Sequence, residues 1–147
     1  MSEQQPANIN YRLISINTED FNAADISQEN GTLDLNFDFQ FGVNNEKKFI
    51  KAISKFIFQL EKQEVLKIAV SCEFEFEPAG WQFFVQGDKL ILPKGLLEQL
   101  AFFTMNTARG VLHAKTEGMK HNKLVIPMIN GEFIKEDLAI PLNAQVN

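Results

Sequence analysis

The chain has 147 residues, the size of one ordinary domain. Hydrophobic residues make up 45% and charged residues 22% of the sequence, values that exclude a disordered chain. The net charge of -5 disfavours nucleic-acid binding, because affinity for phosphate needs concentrated Lys and Arg.

The N-terminal segment and the hydropathy of the chain favour a cytoplasmic protein. Residues 1–8 are polar and predict a loose terminus without the basic and apolar regions of a signal peptide. No run approaches the ~20 apolar residues of a membrane span, so direct membrane insertion is not expected. Cys72 is the only cysteine, which excludes an intrachain disulfide. We predict a single domain over residues 1–147, with residues 131–147 uncertain.

The first predicted elements are two strands separated by a long loop. Residues 9–16 predict a strand whose apolar face switches near Ile14, as a β-bulge would cause. Residues 17–32 are rich in Asn, Asp, Ser and Gly, and predict a loop that leaves room for a short extended piece around Phe21. Apolar and polar residues alternate over residues 33–41, which is typical of a strand with one dry and one wet face.

Two further strands complete an antiparallel meander. Residues 49–60 predict a strand that is apolar on both faces, with Phe49, Ile53 and Ile57 on one of them. A sheet face exposed to water would not carry three large apolar residues, so we expect a helix or a second subunit to cover it. Residues 65–77 predict the next strand, and the short turns between these strands favour antiparallel pairing.

A long helix is predicted between Pro93 and Gly118, after a crossing segment at residues 81–92. The apolar stripe expected to face the sheet comprises Leu96, Leu100, Phe103, Thr107 and Val111. A second flank of small or mildly apolar residues would let another helix approach. It comprises Ala101, Thr104, Ala108 and Leu112. The predicted fold class is therefore α+β, a four-stranded antiparallel meander sheet with a long helix packed on one face.

No motif for nucleotide binding, serine hydrolysis or zinc proteolysis occurs, so neither an enzyme nor a cofactor is predicted. His113 and His121 straddle the predicted helix end, which disfavours a metal pair and favours surface or boundary positions. Cys72 falls on the inward face of its strand, where a packing role is favoured over a nucleophile. Glu73 and Glu75 share an open strand face, which favours a solvated surface or a partner-docking patch.

The order of these elements resembles that of the SecB export chaperone family, over roughly residues 9–134. The strongest local match is Arg109-Gly110 near the helix end, followed about sixteen residues later by an extended segment that contains Pro127. The resemblance implies a holdase chaperone that works without ATP. SecB proteins are homotetramers, dimers of dimers, that bind unfolded polypeptide clients in apolar grooves.

The resemblance also implies docking to the SecA motor through an acidic sheet surface. Asp20 and Glu73 match acidic positions of that surface, and Glu75 shares the strand face of Glu73. The chain departs from the family pattern at Ala24, where the docking surface has another acid, and at Ser71, where it has a leucine. Client binding is therefore better supported than SecA docking. A chaperone partnered with a toxin-antitoxin pair fits these departures as well as an export factor does.

Composition supports the holdase interpretation independently, because fourteen Phe residues supply apolar area for non-directional contacts with unrelated chains. The residues expected in the client groove or a subunit interface are Phe49, Ile53, Ile57, Trp81, Phe83 and Phe84. Two alternatives remain: a structural or interaction module without chaperone activity, and a small-ligand-binding hot-dog or lipocalin-like domain. Hot-dog proteins place their long helix before most of the strands, whereas here it follows them.

Overall fold

A four-stranded antiparallel sheet organises the chain. The computed structural model describes residues 9–26 and 30–142, so the predicted loose terminus at 1–8 and the final positions of the uncertain segment lie outside the described residues. The strands of this sheet are β1 (Tyr11–Ala23), β2 (Leu33–Asn44), β3 (Phe49–Leu60) and β4 (Gln63–Phe76). The predicted third strand has the observed bounds, and the predicted second and fourth strands differ from the observed ones by a few residues.

The strand order is β1-β4-β3-β2, so the sheet has the predicted four antiparallel strands and β2, β3 and β4 form a meander. β1 departs from the predicted four-stranded meander, because it pairs with β4 rather than with β2. The register of β2 with β3 is unbroken, whereas the register of β1 with β4 shifts between Leu13 and Ser15 and again between Thr18 and Asp20. The first shift confirms the predicted bulge. The loop predicted from residue 17 is strand up to Ala23, which includes the extended piece around Phe21 and goes beyond it. An edge strand with bulges and one solvated face accommodates a polar run, because its outward side chains stay in water.

The long helix α2 (Lys94–Lys115) packs across β3 and β4, which confirms the predicted α+β class. Of the predicted sheet-facing stripe only Leu100 is buried, whereas Leu96, Phe103 and Val111 pack at the edge of the core and stay partly exposed. The buried positions are Leu97, Leu100, Ala101, Thr104, Met105, Ala108 and Leu112. The flank that we expected to meet another helix therefore faces the sheet. Small residues let the helix approach the sheet closely, while the larger Phe103 and Val111 lie at its margin.

The predicted crossing segment folds into short elements of its own. These are α1 (Pro78–Trp81), a 3₁₀ turn (Gln82–Phe84), β5 (Val85–Gln86) and β6 (Lys89–Leu92). β6 also pairs with β7 (Leu138–Pro141), so part of the segment without a clear sequence pattern completes a second, three-stranded sheet. Two further 3₁₀ turns, Lys120–Lys123 and Gly131–Phe133, flank the extended residues after α2.

The width of the helix decides which strands are covered. A helix with its side chains is about 10 Å wide, and neighbouring strands are about 4.8 Å apart, so one helix covers about two strands. α2 lies over the central pair, β3 and β4, whose helix-facing residues are buried. The helix-facing residues of the outer strands, β1 and β2, are therefore left partly uncovered.

Candidate functional site

An apolar trough runs along the helix-facing side of β2. Register with β3 places Leu33, Leu35, Phe37 and Phe39 on this side. Phe37 is 40% exposed, and Leu33 is also exposed. The ring of Phe133 lies 5.3 Å from that of Phe37, so the 3₁₀ turn after α2 forms the opposite wall. We call Leu33, Phe37 and Phe133 the β2 trough. The dry face predicted for this strand is thus only partly dry, because α2 does not reach it.

A second trough lies along β1, on the other side of α2. Leu13 pairs with Phe74 and Ile16 with Cys72, so both side chains are on the helix side of the sheet, and both are exposed. Phe103 of α2 is exposed as well, and its ring packs edge-on against Phe74 at 5.7 Å. We call Leu13, Ile16 and Phe103 the β1 trough. Neither trough is predicted by the local sequence pattern, although the width of one helix against four strands indicates both.

The opposite face of the sheet brings two sets of predicted site residues together. Phe49, Ile53 and Ile57 lie there on β3 and are half-buried. Phe49 is directly opposite Glu75 in the β3–β4 register. Glu73, Glu75 and Asp20 are on the same face, which we call the open face, since α2 packs on the other one. The expected client residues and the expected docking residues are therefore neighbours rather than parts of separate surfaces.

Cations and hydroxyls within the chain already partner the carboxylates of the open face. The ion pairs are Arg12–Glu75 at 2.8 Å, Lys67–Asp20 at 3.1 Å and Lys51–Glu19 at 3.2 Å. The hydroxyls of Ser15 and Ser71 donate to Glu73 and Glu19, at 2.5 Å and 2.6 Å. The open face is consequently a mixed-charge surface with an apolar centre, rather than a purely acidic one.

The carboxylate of Glu19 gives the fold a predictable pH dependence. The hydrogen bonds from Ser71 and Lys51 hold the pKa of Glu19 below its ordinary value of 4.5. A carboxyl whose pKa is lowered by folding stabilises the native state above its ordinary pKa, and this contribution is lost as the pH falls through the lowered value. In urea titrations, Glu19→Gln should therefore lose less free energy of unfolding than the wild type between about pH 7 and about pH 3.

Two of the expected groove residues are not accessible. Trp81 and Phe84 are each 1% exposed, and their rings pack against Phe76 at 5.6 and 5.7 Å. The indole N–H of Trp81 donates to Asn45 Oδ1 at 2.7 Å. The expectation that Trp81 and Phe84 lie on a groove is wrong, because the short turn of α1 folds both rings back over the end of the sheet. Phe83 lies between them and is 57% exposed.

Arg109 ties the helix to the extended segment that follows it. Its Nε donates to the carbonyl of Ile126 at 2.8 Å, and Nη2 donates to the carbonyl of Pro127 at 2.9 Å. Nη1 donates to Asn106 Oδ1 at 2.6 Å on the same helix. These hydrogen bonds explain the spacing between Arg109-Gly110 and the segment that contains Pro127. The sequence showed the spacing but not the contacts that cause it.

The remaining candidate chemical groups are accounted for by packing. Cys72 is buried, which confirms its packing role, and burial raises the pKa of its thiol. His121 is buried rather than at the surface, with Nε2 at 2.6 Å from the Ala24 carbonyl, so its expected boundary position is wrong. Within residues 9–26 and 30–142, no cluster of His, Cys, Asp and Glu could hold a metal ion, and no helix is long and apolar enough to cross a membrane.

The arrangement of sheet, long helix and trailing segment defines a SecB-like fold. No protein-family model matches the sequence, and no curated protein matches it by sequence. The fold is similar to that of the Mycobacterium tuberculosis SecB-like chaperone Rv1957, solved in complex with a ChAD peptide from the Rv1956 HigA1 antitoxin. The TM-score is 0.56 over 82% of this chain and 88% of that chain, at 9% sequence identity. The likeness is therefore one of fold.

Proposed function

We propose that this protein is an ATP-independent holdase that binds non-native polypeptides along the β1 and β2 troughs. One observation carries the proposal: apolar side chains stay exposed on both outer strands because α2 covers only the central two. The SecB-like neighbour holds a polypeptide segment, which supports a polypeptide as the occupant. The proposed activity needs no catalytic group and no nucleotide.

The physics of the troughs suits clients of varied sequence. Apolar burial is non-directional and contributes roughly 25 cal/mol per Å², so burying about 200 Å² contributes about 5 kcal/mol before the cost of ordering the client. Phe rings supply this area with few rotamers to freeze. The open-face residues Phe49, Ile53 and Ile57 stay proposed members of a second client surface or a subunit interface, together with the exposed Phe83.

The proposal extends to assembly and partners. Half-buried apolar residues on the open face favour a homo-oligomer, with a tetramer built as a dimer of dimers. Docking of SecA at Asp20, Glu73 and Glu75 would have to displace or share the ion pairs found there, which weighs against it. The antitoxin peptide bound by the fold neighbour favours a toxin-antitoxin role over export. The cytoplasmic location inferred from the sequence stays a prediction.

An aggregation assay without nucleotide tests the holdase activity. We expect the wild type to suppress light scattering by a chemically denatured client. Phe37→Asp should raise the concentration needed for half-suppression by about tenfold, because a carboxylate in the β2 trough resists desolvation. Gln86→Asp is the control, since it adds the same charge at an exposed strand position outside both troughs and outside the open face.

The possible results separate the function from the location of its site. If the wild type leaves client aggregation unchanged at stoichiometric excess, the chain is a structural or interaction module and the holdase proposal fails. If the wild type suppresses aggregation and Phe37→Asp does so equally well, clients bind outside the β2 trough. Circular dichroism of both variants establishes that the comparison is between folded proteins.

A further inference from the structure

A cavity of about 610 Å³ lies at one end of the four-stranded sheet, a volume within the usual range of small-molecule sites. Three stretches of chain meet there: the start of β1, the turn between β2 and β3, and the end of β4. The backbone N–H of Phe76 donates to the carbonyl of Lys48 at 2.9 Å, and that of Glu77 donates to the carbonyl of Asn10 at 3.1 Å. The end of β4 therefore lies between the other two stretches.

The charged side chains that line this cavity are three cations and three carboxylates. They are Arg12, Glu46, Lys47, Lys48, Glu75 and Glu77. Arg12 and Glu75 form an ion pair at 2.8 Å, so each of them already has a partner of opposite charge. The other four form no ion pair with any described residue, and Glu77 accepts only a neutral amide N–H, from Asn10 at 3.3 Å. Two cations and two carboxylates are therefore available to a ligand.

The turn that carries the two available cations is held in place by hydrogen bonds. The backbone N–H of Lys47 donates to Asn44 Oδ1 at 2.9 Å, and the carbonyl of Lys48 accepts from Phe76. Lys48 has a φ of 60°, in the left-handed region, and these contacts fix it there. A preorganised turn lowers the ordering cost of binding, so both lysines line the cavity from a fixed support.

We propose that this cavity binds a small zwitterion, with its carboxylate at Lys47 and Lys48 and its ammonium at Glu46 and Glu77. A ligand with a single charge would meet two groups of opposite sign and two of its own sign in the same cavity, and the repulsion would offset the attraction. A ligand with one charge of each sign avoids this cost. Free amino acids and short peptides with unblocked ends share this chemistry.

The width of the site favours a short peptide. Three stretches of chain side by side span about 10 Å, since neighbouring strands are about 4.8 Å apart. An extended tripeptide also spans roughly 10 Å. This inference goes beyond the proposed function, because the cavity lies outside both troughs and its ligand needs no apolar side chain. Loss of holdase activity and loss of this site are therefore separate results.

Titration of the isotope-labelled protein with trialanine, followed by NMR amide shifts, tests the site. We expect saturable shifts at Lys47, Lys48 and Glu77, with a dissociation constant of about 1 mM or below. N-acetyl-trialanine and trialanine amide each lack one terminal charge, so each should bind at least about fivefold more weakly. Free alanine separates the two sources: binding weaker than that of trialanine assigns the site to short peptides, and tighter binding assigns it to amino acids.

Single substitutions assign each charge of the ligand to its partner. Lys48→Gln should weaken trialanine binding at least about fivefold and leave trialanine amide, which has no carboxylate, within about twofold. Glu77→Gln should likewise weaken trialanine and leave N-acetyl-trialanine, which has no ammonium, nearly unchanged. Lys62→Gln is the matched control, because Lys62 also has a positive φ, 67°, in a hairpin turn and lies outside the cavity.

Three results would each overturn the proposal. They are the lack of a saturable shift with both alanine and trialanine, equal affinity for trialanine and for doubly blocked N-acetyl-trialanine amide, and unchanged trialanine binding in Lys48→Gln. Amide spectra of the variants that match the wild type away from the cavity establish that folded proteins are compared.

Discussion

Replacing Trp81 by alanine is expected to lower the free energy of unfolding by about 3–5 kcal/mol. The indole is almost fully buried, and its ring packs edge-on against Phe76 and Phe84. The substitution removes these contacts, opens a large cavity and leaves Asn45 Oδ1 without its donor. Urea titration followed by circular dichroism measures the loss, because Trp81 is the only tryptophan and its fluorescence disappears with it.

Two further variants serve as controls for Trp81→Ala. Trp81→Phe keeps most of the apolar volume and loses the hydrogen bond, so it should cost less than the alanine variant. Phe83→Ala, at the exposed neighbouring ring, should stay within about 0.5 kcal/mol of the wild type. If Trp81→Ala reduced client binding while changing stability as little as Phe83→Ala does, Trp81 would belong to a groove after all, as the sequence alone had indicated.

The sheet could be predicted because its sequence pattern has a local cause. Side chains of a strand alternate between two faces, so the alternation over residues 33–41 predicts β2 without knowledge of its partners. Asn44-Asn45 and Glu61-Lys62 mark the turns on either side of β3, and they set both of its ends. The bulge in β1 could also be predicted, because one extra residue exchanges the faces of the apolar side chains.

The candidate site was harder to predict than the sheet, because its exposed residues depend on which strands the helix covers and on which flank of the helix packs against them. The period of α2 identifies two neighbouring apolar flanks, at Phe103 and at Ala108, and the sequence does not say which one meets the sheet. The small flank does, because it permits close packing, and this leaves Phe103 in the β1 trough. The same limit applies to Trp81, whose burial depends on a four-residue helix that has no periodicity to detect.

Phe37 is exposed because α2 covers only β3 and β4 and does not reach β2. This exposure links the fold to the proposed function. A chain that packed a second helix over β2 would bury this ring and close the trough. Here the only described wall opposite Phe37 is the turn that carries Phe133. The extended segment held by Arg109 leads into that turn, so the anchor on α2 also sets the position of the trough wall.

Replacing Arg109 by lysine is therefore expected to lower the free energy of unfolding more than a conservative substitution usually does. Lysine keeps the charge but lacks the planar fork that donates to two successive carbonyls and to Asn106. We expect a loss of about 1.5–3 kcal/mol in the free energy of unfolding. Hydrogen exchange should also quicken at the amides of residues 124–126 and 128–134, because the anchor of this segment is weakened.

Arg12→Lys supplies the matched control for Arg109→Lys. Arg12 pairs with Glu75 on the open face, and its side chain is largely exposed, so the same substitution should cost at most about 1 kcal/mol. Equal losses at the two positions would contradict an anchoring role for Arg109. A larger loss at Arg109, with faster exchange confined to residues 124–134, would establish that the Arg109-Gly110 motif holds the segment whose last turn forms the wall of the β2 trough.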